Sequence, residues 1–184
     1  MSKIILGFVG PMSSGKGTAC EYLIKNYNAS YYRYSTIVRD VLTRLGQEQT
    51  RANMQILSLS LRQLFGEDLF AKVMAKDVNK DKNKLICVDG IRRPEDIIYL
   101  SGIPGFHLIS IDADEKIRYE RIIKRSENPD DAKKTFAQFK IDQSKETETT
   151  IPSAMALAEI ILDNSFGLNS LHGKLDKLIK EFQS

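Results

Sequence analysis

Cysteine and histidine are both scarce in this chain, with two of each among 184 residues. Cys20 falls in a helical pattern and Cys87 in a strand pattern, without the spacing of a metal site. We therefore predict two buried free thiols in a reducing compartment. We interpret His107 as a packed or edge residue of a strand, and we assign no role to His172.

Long apolar runs and a strong net charge are also missing. No segment approaches the roughly 20 apolar residues of a membrane span, and the short apolar start lacks the small-residue cleavage site of a signal peptide. The formal net charge of +3 is too small to indicate binding to nucleic acid or to a membrane. With 42% hydrophobic and 28% charged residues, the composition is that of a globular cytoplasmic protein. We expect a single domain over residues 1–184.

The clearest motif is a glycine-rich segment, Gly10-Pro-Met-Ser-Ser-Gly-Lys-Gly-Thr18, between an apolar run and an amphipathic segment. This order predicts a strand, a phosphate-binding loop and a helix. Glycines let the backbone N–H groups converge on an anion, the helix N-terminus attracts it, and the lysine adds a mobile cation. The predicted nucleotide-binding residues of the loop are Gly10, Ser13, Ser14, Gly15, Lys16, Gly17 and Thr18.

Short apolar runs alternate with helical patterns along the chain. Strands are predicted at 4–9, 31–35, 84–89, 106–112 and 159–164, and helices at 18–28, 37–45, 50–64, 67–78, 114–124 and 167–182. A short helix is predicted at 94–100, and Ser35 or Thr36 is the expected N-cap of the helix that follows the second strand. This alternation predicts a three-layer α/β fold with five parallel strands, whose ligands bind beyond the carboxyl ends of the strands.

The loop residues Gly15-Lys16-Gly17-Thr18 and the segment Asp89-Gly90-Ile91-Arg92-Arg93 resemble the nucleoside monophosphate kinases, adenylate kinase among them. This resemblance implies a P-loop kinase fold, ATP as phosphoryl donor and Mg²⁺ as cofactor. Lys16 would then hold the donor phosphates, and Asp89 would bind the metal through water. Either Arg92 or Arg93 would grip the acceptor phosphate, and we favour Arg93. Thr36 stands where adenylate kinase has an aspartate.

The same resemblance implies further arginine roles. Arg39 would hold the acceptor monophosphate, Arg121 would lie against the adenine, and Arg125 would contact the donor phosphates. A helical insert at about 36–80 would bind the acceptor, and residues of about 121–150 would form a lid, within which 126–150 read as a mobile helical flap. Catalytic roles then fall to Lys16, Asp89, Arg93 and Arg125.

A second resemblance is to the dephospho-CoA kinases, on the segments 35–40, 88–92 and 156–164. The expected function is ATP-dependent phosphoryl transfer to a small nucleotide-like acceptor, with a nucleoside monophosphate favoured over dephospho-CoA. An ATP-binding switch without transferase activity is the alternative from another class. Partners are expected to be small-molecule nucleotides. We interpret Phe65, Phe70 and Phe136 as core or flap packing.

Overall fold

The computed structural model describes residues 3–125, 134–144 and 149–183, but not the side chains of Arg51 and Arg125. The strands are β1 (Ile4–Val9), β2 (Ser30–Arg33), β3 (Leu85–Ile91), β4 (Phe106–Asp112) and β5 (Ile160–Asp163). The helices are α1 (Lys16–Tyr27), α2 (Tyr34–Arg44), α3 (Arg51–Phe65), α4 (Leu69–Lys80), α5 (Glu115–Arg125), α6 (Phe136–Gln143), α7 (Ile151–Met155) and α8 (Leu168–Gln183).

The five strands form one parallel sheet in the order β2-β3-β1-β4-β5. The predicted α/β fold with a five-stranded parallel sheet is therefore confirmed. β1 lies at the centre, and the glycine-rich loop leaves its carboxyl end, beside the ends of β3 and β4. This arrangement brings the predicted loop and the segment after β3 to the same edge of the sheet.

Apolar side chains cover both faces of the sheet, because successive residues of a strand point to opposite sides. Ile4, Leu6 and Phe8 of β1 pack in one cluster with residues of α1 and α8. Ile5 and Val9 pack in a second cluster with residues of α2, α4 and α7. Among the described residues, no helix has the length and apolar character that a membrane crossing requires.

The start of α2 differs from the expectation. The helix begins at Tyr34 with Arg33 at the N-cap position, and no side chain among residues 3–125, 134–144 and 149–183 caps it, so the predicted caps Ser35 and Thr36 are wrong. Tyr34 is buried, and its hydroxyl donates a hydrogen bond of 2.5 Å to the carbonyl of Asp96. This anchor starts the helix early and shortens the second strand to Ser30–Arg33.

Two further expectations need correction. The segment after β3 forms only a short 3₁₀ turn at Pro94–Asp96 where a helix to residue 100 was predicted. Phe65 is 63% exposed at the end of α3, so it belongs to neither the core nor a flap. The other two aromatic predictions are confirmed: Phe70 is buried, and Phe136 packs edge-on against Tyr119 with ring centroids 5.2 Å apart.

Candidate active site

The glycine-rich loop has a backbone that requires glycine at two positions. Gly10 has φ 154° and Gly15 has φ 109°. A Cβ on Gly10 would lie 2.0 Å from the carbonyl oxygen of Ile111, and one on Gly15 would lie 2.2 Å from Nδ2 of Asn164. Gly17, by contrast, is helical with no atom within 4 Å of a Cβ position. The first two glycines therefore give the loop its shape, and Gly17 leaves open space at the start of α1.

Polar groups of the loop are arranged to receive an anion. The side-chain hydroxyls of Ser13 and Ser14 are buried and have no hydrogen-bond partner within the described part of the chain. Nζ of Lys16 donates to the carbonyl oxygens of Gly10 at 2.7 Å and Pro11 at 3.0 Å. These hydroxyl donors, the ammonium group and the N-terminus of α1 fit the phosphates of a nucleotide.

Asn164 and Arg121 brace the loop from outside. Asn164 follows β5 and is 1% exposed; its Nδ2 donates to the carbonyl of Ser14 at 2.8 Å. Nη2 of Arg121 donates to the carbonyl of Asn164 at 2.7 Å, and Nη1 lies 3.5 Å from the Ser14 carbonyl. Burial lowers the pKa of Arg121. The structure thus places Arg121 beside the loop, where its described contacts are to backbone carbonyls, and its position against the adenine stays a prediction.

Asp89 lies near the end of β3 and is 5% exposed. Its Oδ2 accepts a hydrogen bond of 3.0 Å from the hydroxyl of Tyr31 and lies 3.7 Å from Nε of Arg33. Burial, and then the charge of Asp89, raise the pKa of Tyr31, so this hydroxyl remains a donor. The described residues contain no group of three or more His, Cys, Asp or Glu able to hold a metal ion. A magnesium ion here would therefore rely on phosphate and water oxygens together with Asp89.

The two cysteines contact each other in the core, within range of the charges of Lys16 and Asp89. Cys20 is one turn after Lys16 on α1, and Cys87 is two residues before Asp89 on the same face of β3. A hydrogen bond with Cys87 and burial raise the pKa of the Cys20 thiol; the charge of Asp89 raises it and that of Lys16 lowers it. Both thiols are free and buried, as predicted. Their contact joins α1 to β3, near both charged side chains.

The predicted acceptor arginines lie on two segments, with Arg39 on α2 and Arg92 and Arg93 directly after β3. Nη1 of Arg39 donates to Oε1 of Gln49 at 2.9 Å, which ties α2 to the connection before α3. Arg92 and Arg93 follow β3, and their backbone N–H groups both donate to Oδ2 of Asp96, at 3.0 and 3.2 Å. The Arg92 side chain is exposed, whereas that of Arg93 is 33% exposed and directed toward Glu67.

Arg118 connects the loop to the helical segment after α5. This side chain is 8% exposed. Its guanidinium donates to the carbonyl of Ala113 at 3.0 Å, to that of Met12 at 3.4 Å and to Oε1 of Gln143 on α6 at 2.7 Å. The predicted flap thus includes α6, which packs through the buried Phe139. Residues 126–133 and 145–148 of the expected lid, and the side chain of Arg125, lie outside the described residues.

A family model described as an AAA domain matches residues 9–138, a span that runs from the end of β1 through α5 and into α6. The chain belongs to this family. A UPF0200 protein of Methanocaldococcus jannaschii, MJ1399, is 28% identical over 181 residues, which cover 97% of this chain and 90% of that protein. A UPF0200 protein of Sulfurisphaera tokodaii is 27% identical and covers 96% of both.

Solved structures share the fold at low sequence identity. TT1252 from Thermus thermophilus matches with a TM-score of 0.61 and 16% identity over 98% of both chains. Shikimate kinase from Bacteroides thetaiotaomicron matches with a TM-score of 0.61 and 12% identity, over 98% of this chain and 99% of that one. This AAA-domain chain therefore has the fold of a P-loop small-molecule kinase.

Three residues stand out to which no role was assigned from the sequence: Arg118 and Asn164 beside the loop, and Arg62 on α3, whose Nη2 lies 3.8 Å from Oδ1 of Asp96. Asn164 could have been found by its position directly after β5, since the other site segments also follow strands. Arg118 lies three residues before Arg121, on a neighbouring part of the same helix surface. The sequence does not distinguish Arg62 from the other arginines between β1 and β3, because the environment of Arg62 depends on how α3 packs.

Proposed function

We propose that this chain is an ATP-dependent kinase that transfers a phosphoryl group to a nucleoside monophosphate. The observation that carries the proposal is the loop after β1, where Gly10 and Gly15 shape the backbone and Lys16, Ser13 and Ser14 supply donors. Arginines after β3 and on α3 support an acceptor with a phosphate of its own. The P-loop kinase fold supports the same class of reaction.

In this reaction an oxygen of the acceptor phosphate attacks the terminal phosphorus of ATP, and the bond to the bridging oxygen breaks to release ADP. The protein contributes by positioning both nucleotides and by neutralising charge on the transferred group. Lys16 and the loop N–H groups would hold the donor. Mg²⁺ would neutralise further phosphate charge, with Asp89 as its protein partner through water.

The acceptor would lie against the helical insert of about 36–80, with Arg39 and Arg93, or Arg92, on its phosphate. Arg125 would act on the donor phosphates from the lid of about 121–150, with Arg121 near the adenine. Closing of this lid would exclude water, which otherwise competes as acceptor. We also propose a cytoplasmic location, because two reduced thiols suit a reducing compartment.

A substrate panel tests the proposal. ADP release would be followed with ATP, Mg²⁺ and each of AMP, CMP, GMP, UMP and dTMP, and separately with dephospho-CoA. We expect release that depends on one or more monophosphates. A response to dephospho-CoA alone would assign the other kinase activity, and slow release that no acceptor stimulates would indicate a nucleotide switch.

Lys16→Ala tests the loop within the same assay. Loss of this charge should lower turnover by roughly 10²–10³-fold, the usual effect of removing one donor to transition-state charge. Lys25→Ala is the matched control, because Lys25 is exposed on the last turn of the same helix. Equal turnover of Lys16→Ala and wild type would refute the role of the loop, whereas circular dichroism should show both variants folded.

A further inference from the structure

Two arginines from different elements lie close together beside the α3–α4 turn. Arg62 is on the last turn of α3, and Arg93 follows β3. Burial lowers the pKa of Arg62, and the charge of Arg93 lowers it further. Two like charges at short range repel one another, and an anion placed between them relieves that repulsion.

The carboxylate of Glu67 is the anion that joins the two arginines. Its Oε2 lies 3.1 Å from Nη1 of Arg93 and 4.0 Å from Nη1 of Arg62. Glu67 is on the turn between α3 and α4, next to Gly66, whose φ of 101° allows the chain to reverse. The side chain of Glu67 is 61% exposed, whereas that of Arg62 is 11% exposed. The carboxylate is therefore the movable member of the group.

Arg62, by contrast, is held in place by several groups. Its guanidinium lies 4.8 Å from the ring centroid of Phe70, and its Nη1 donates to the backbone carbonyl of Glu67. Its Nη2 lies 3.8 Å from Oδ1 of Asp96. The other carboxylate oxygen of Asp96, Oδ2, accepts a hydrogen bond from the backbone N–H of Arg93. The buried Asp96 therefore positions both Arg62 and Arg93.

We propose that Arg62 joins Arg93 in binding the phosphate of the acceptor, and that Glu67 occupies the position between these two arginines until the phosphate displaces it. A phosphate monoester offers anionic oxygens to the same two guanidinium groups and carries more charge than a carboxylate. Exposed ion pairs are weak, so the carboxylate of Glu67 is readily exchanged. That this phosphate belongs to an acceptor substrate rests on the proposed function. The anion site itself is argued from the arginine geometry.

Titration with inorganic phosphate tests the site without ATP. NMR would follow the side-chain Nε–H signals of Arg62 and Arg93, assigned with Arg62→Lys and Arg93→Lys. We expect Glu67→Gln to bind phosphate at this site on the order of tenfold more tightly than wild type, because both the competing ion pair and the repulsion by the carboxylate are removed. Glu95→Gln is the matched control: Glu95 is also exposed and lies two residues after Arg93, and its exchange should change affinity less than about twofold.

Arg62→Lys in the Glu67→Gln background should weaken phosphate binding again, because lysine lacks the forked donor geometry. Equal affinity of wild type and Glu67→Gln would overturn the inference, as would phosphate shifts confined to the glycine-rich loop. The two proposals fail separately. Tighter phosphate binding without acceptor-dependent transfer would contradict the kinase and leave the anion site standing. Transfer with unchanged phosphate affinity in Glu67→Gln would overturn the inference and leave the kinase proposal standing.

Discussion

Asn164→Ala should destabilise the protein and weaken nucleotide binding together. The Asn164 side chain is buried, and its Nδ2 donates to the carbonyl of Ser14, a residue with no exposed surface. Of the contacts to that carbonyl from the described residues, alanine leaves the long 3.5 Å contact to Arg121. The bond from Arg121 to the backbone carbonyl of residue 164 remains possible, so the variant removes one brace and retains the other.

The magnitude follows from the carbonyl that loses its partner. An unsatisfied buried acceptor costs about 1–3 kcal/mol. For a chain of this size, 2 kcal/mol corresponds to a fall in Tm of about 4–8 °C. Nucleotide binding should weaken as well, because the Ser14 amide and hydroxyl belong to the loop that the brace fixes.

Urea unfolding and equilibrium binding of ATP measure the two effects. Asn26→Ala is the control, because Asn26 also donates from its side chain to a backbone carbonyl, that of Tyr22 at 2.9 Å, but is exposed. Its free energy of unfolding should stay within about 0.5 kcal/mol of wild type. If Asn164→Ala is as stable as Asn26→Ala and binds ATP as wild type does, the brace has no role in shaping the loop.

Two other predictions test local structure. Gly15→Ala should lower the free energy of unfolding by about 2 kcal/mol or more, because φ at Gly15 is positive and the new Cβ meets Asn164. Gly17→Ala should raise the free energy of unfolding by about 0.5–1 kcal/mol, because the new Cβ enters open space on a helix. Equal denaturation midpoints of the two variants would contradict the loop geometry. The hydrogen bond to Asp176 raises the pKa of Tyr27 from 10.0 to about 12, so the folded state keeps a proton that the unfolded state loses, and stability should fall as pH rises from about 10 to 12. Tyr27→Phe should make that fall shallower in thermal unfolding, and an unchanged slope would show that the shift does not stabilise the fold.

The strands of the sheet were predictable because the residue pattern that marks a strand lies within the strand itself. β4 matches its predicted bounds, Phe106–Asp112, and an uninterrupted apolar run directly before the glycines marks β1. The parallel direction follows from the alternation of strands and helices, whereas the strand order was not predicted, because the same alternation is compatible with several orders. The start of α2 was missed because its anchor, the hydroxyl of Tyr34 on the carbonyl of Asp96, joins residues 62 positions apart.

The candidate site was predictable only in part for the same reason. Lys16 and the loop glycines form a contiguous motif whose chemistry depends on spacing. Arg62, Arg118 and Asn164 gain their importance from contacts between distant segments, such as the 150 positions between Asn164 and Ser14. Which arginine faces a phosphate depends on helix packing, and composition gives no information on it.

A crystal structure with a non-hydrolysable ATP analogue and Mg²⁺ tests the central claim most directly. We predict that the phosphates lie within the turn formed by Gly10–Thr18 and that Nζ of Lys16 leaves the carbonyls of Gly10 and Pro11 to contact phosphate oxygens. A nucleotide bound elsewhere, with Lys16 still on those two carbonyls, would contradict the account.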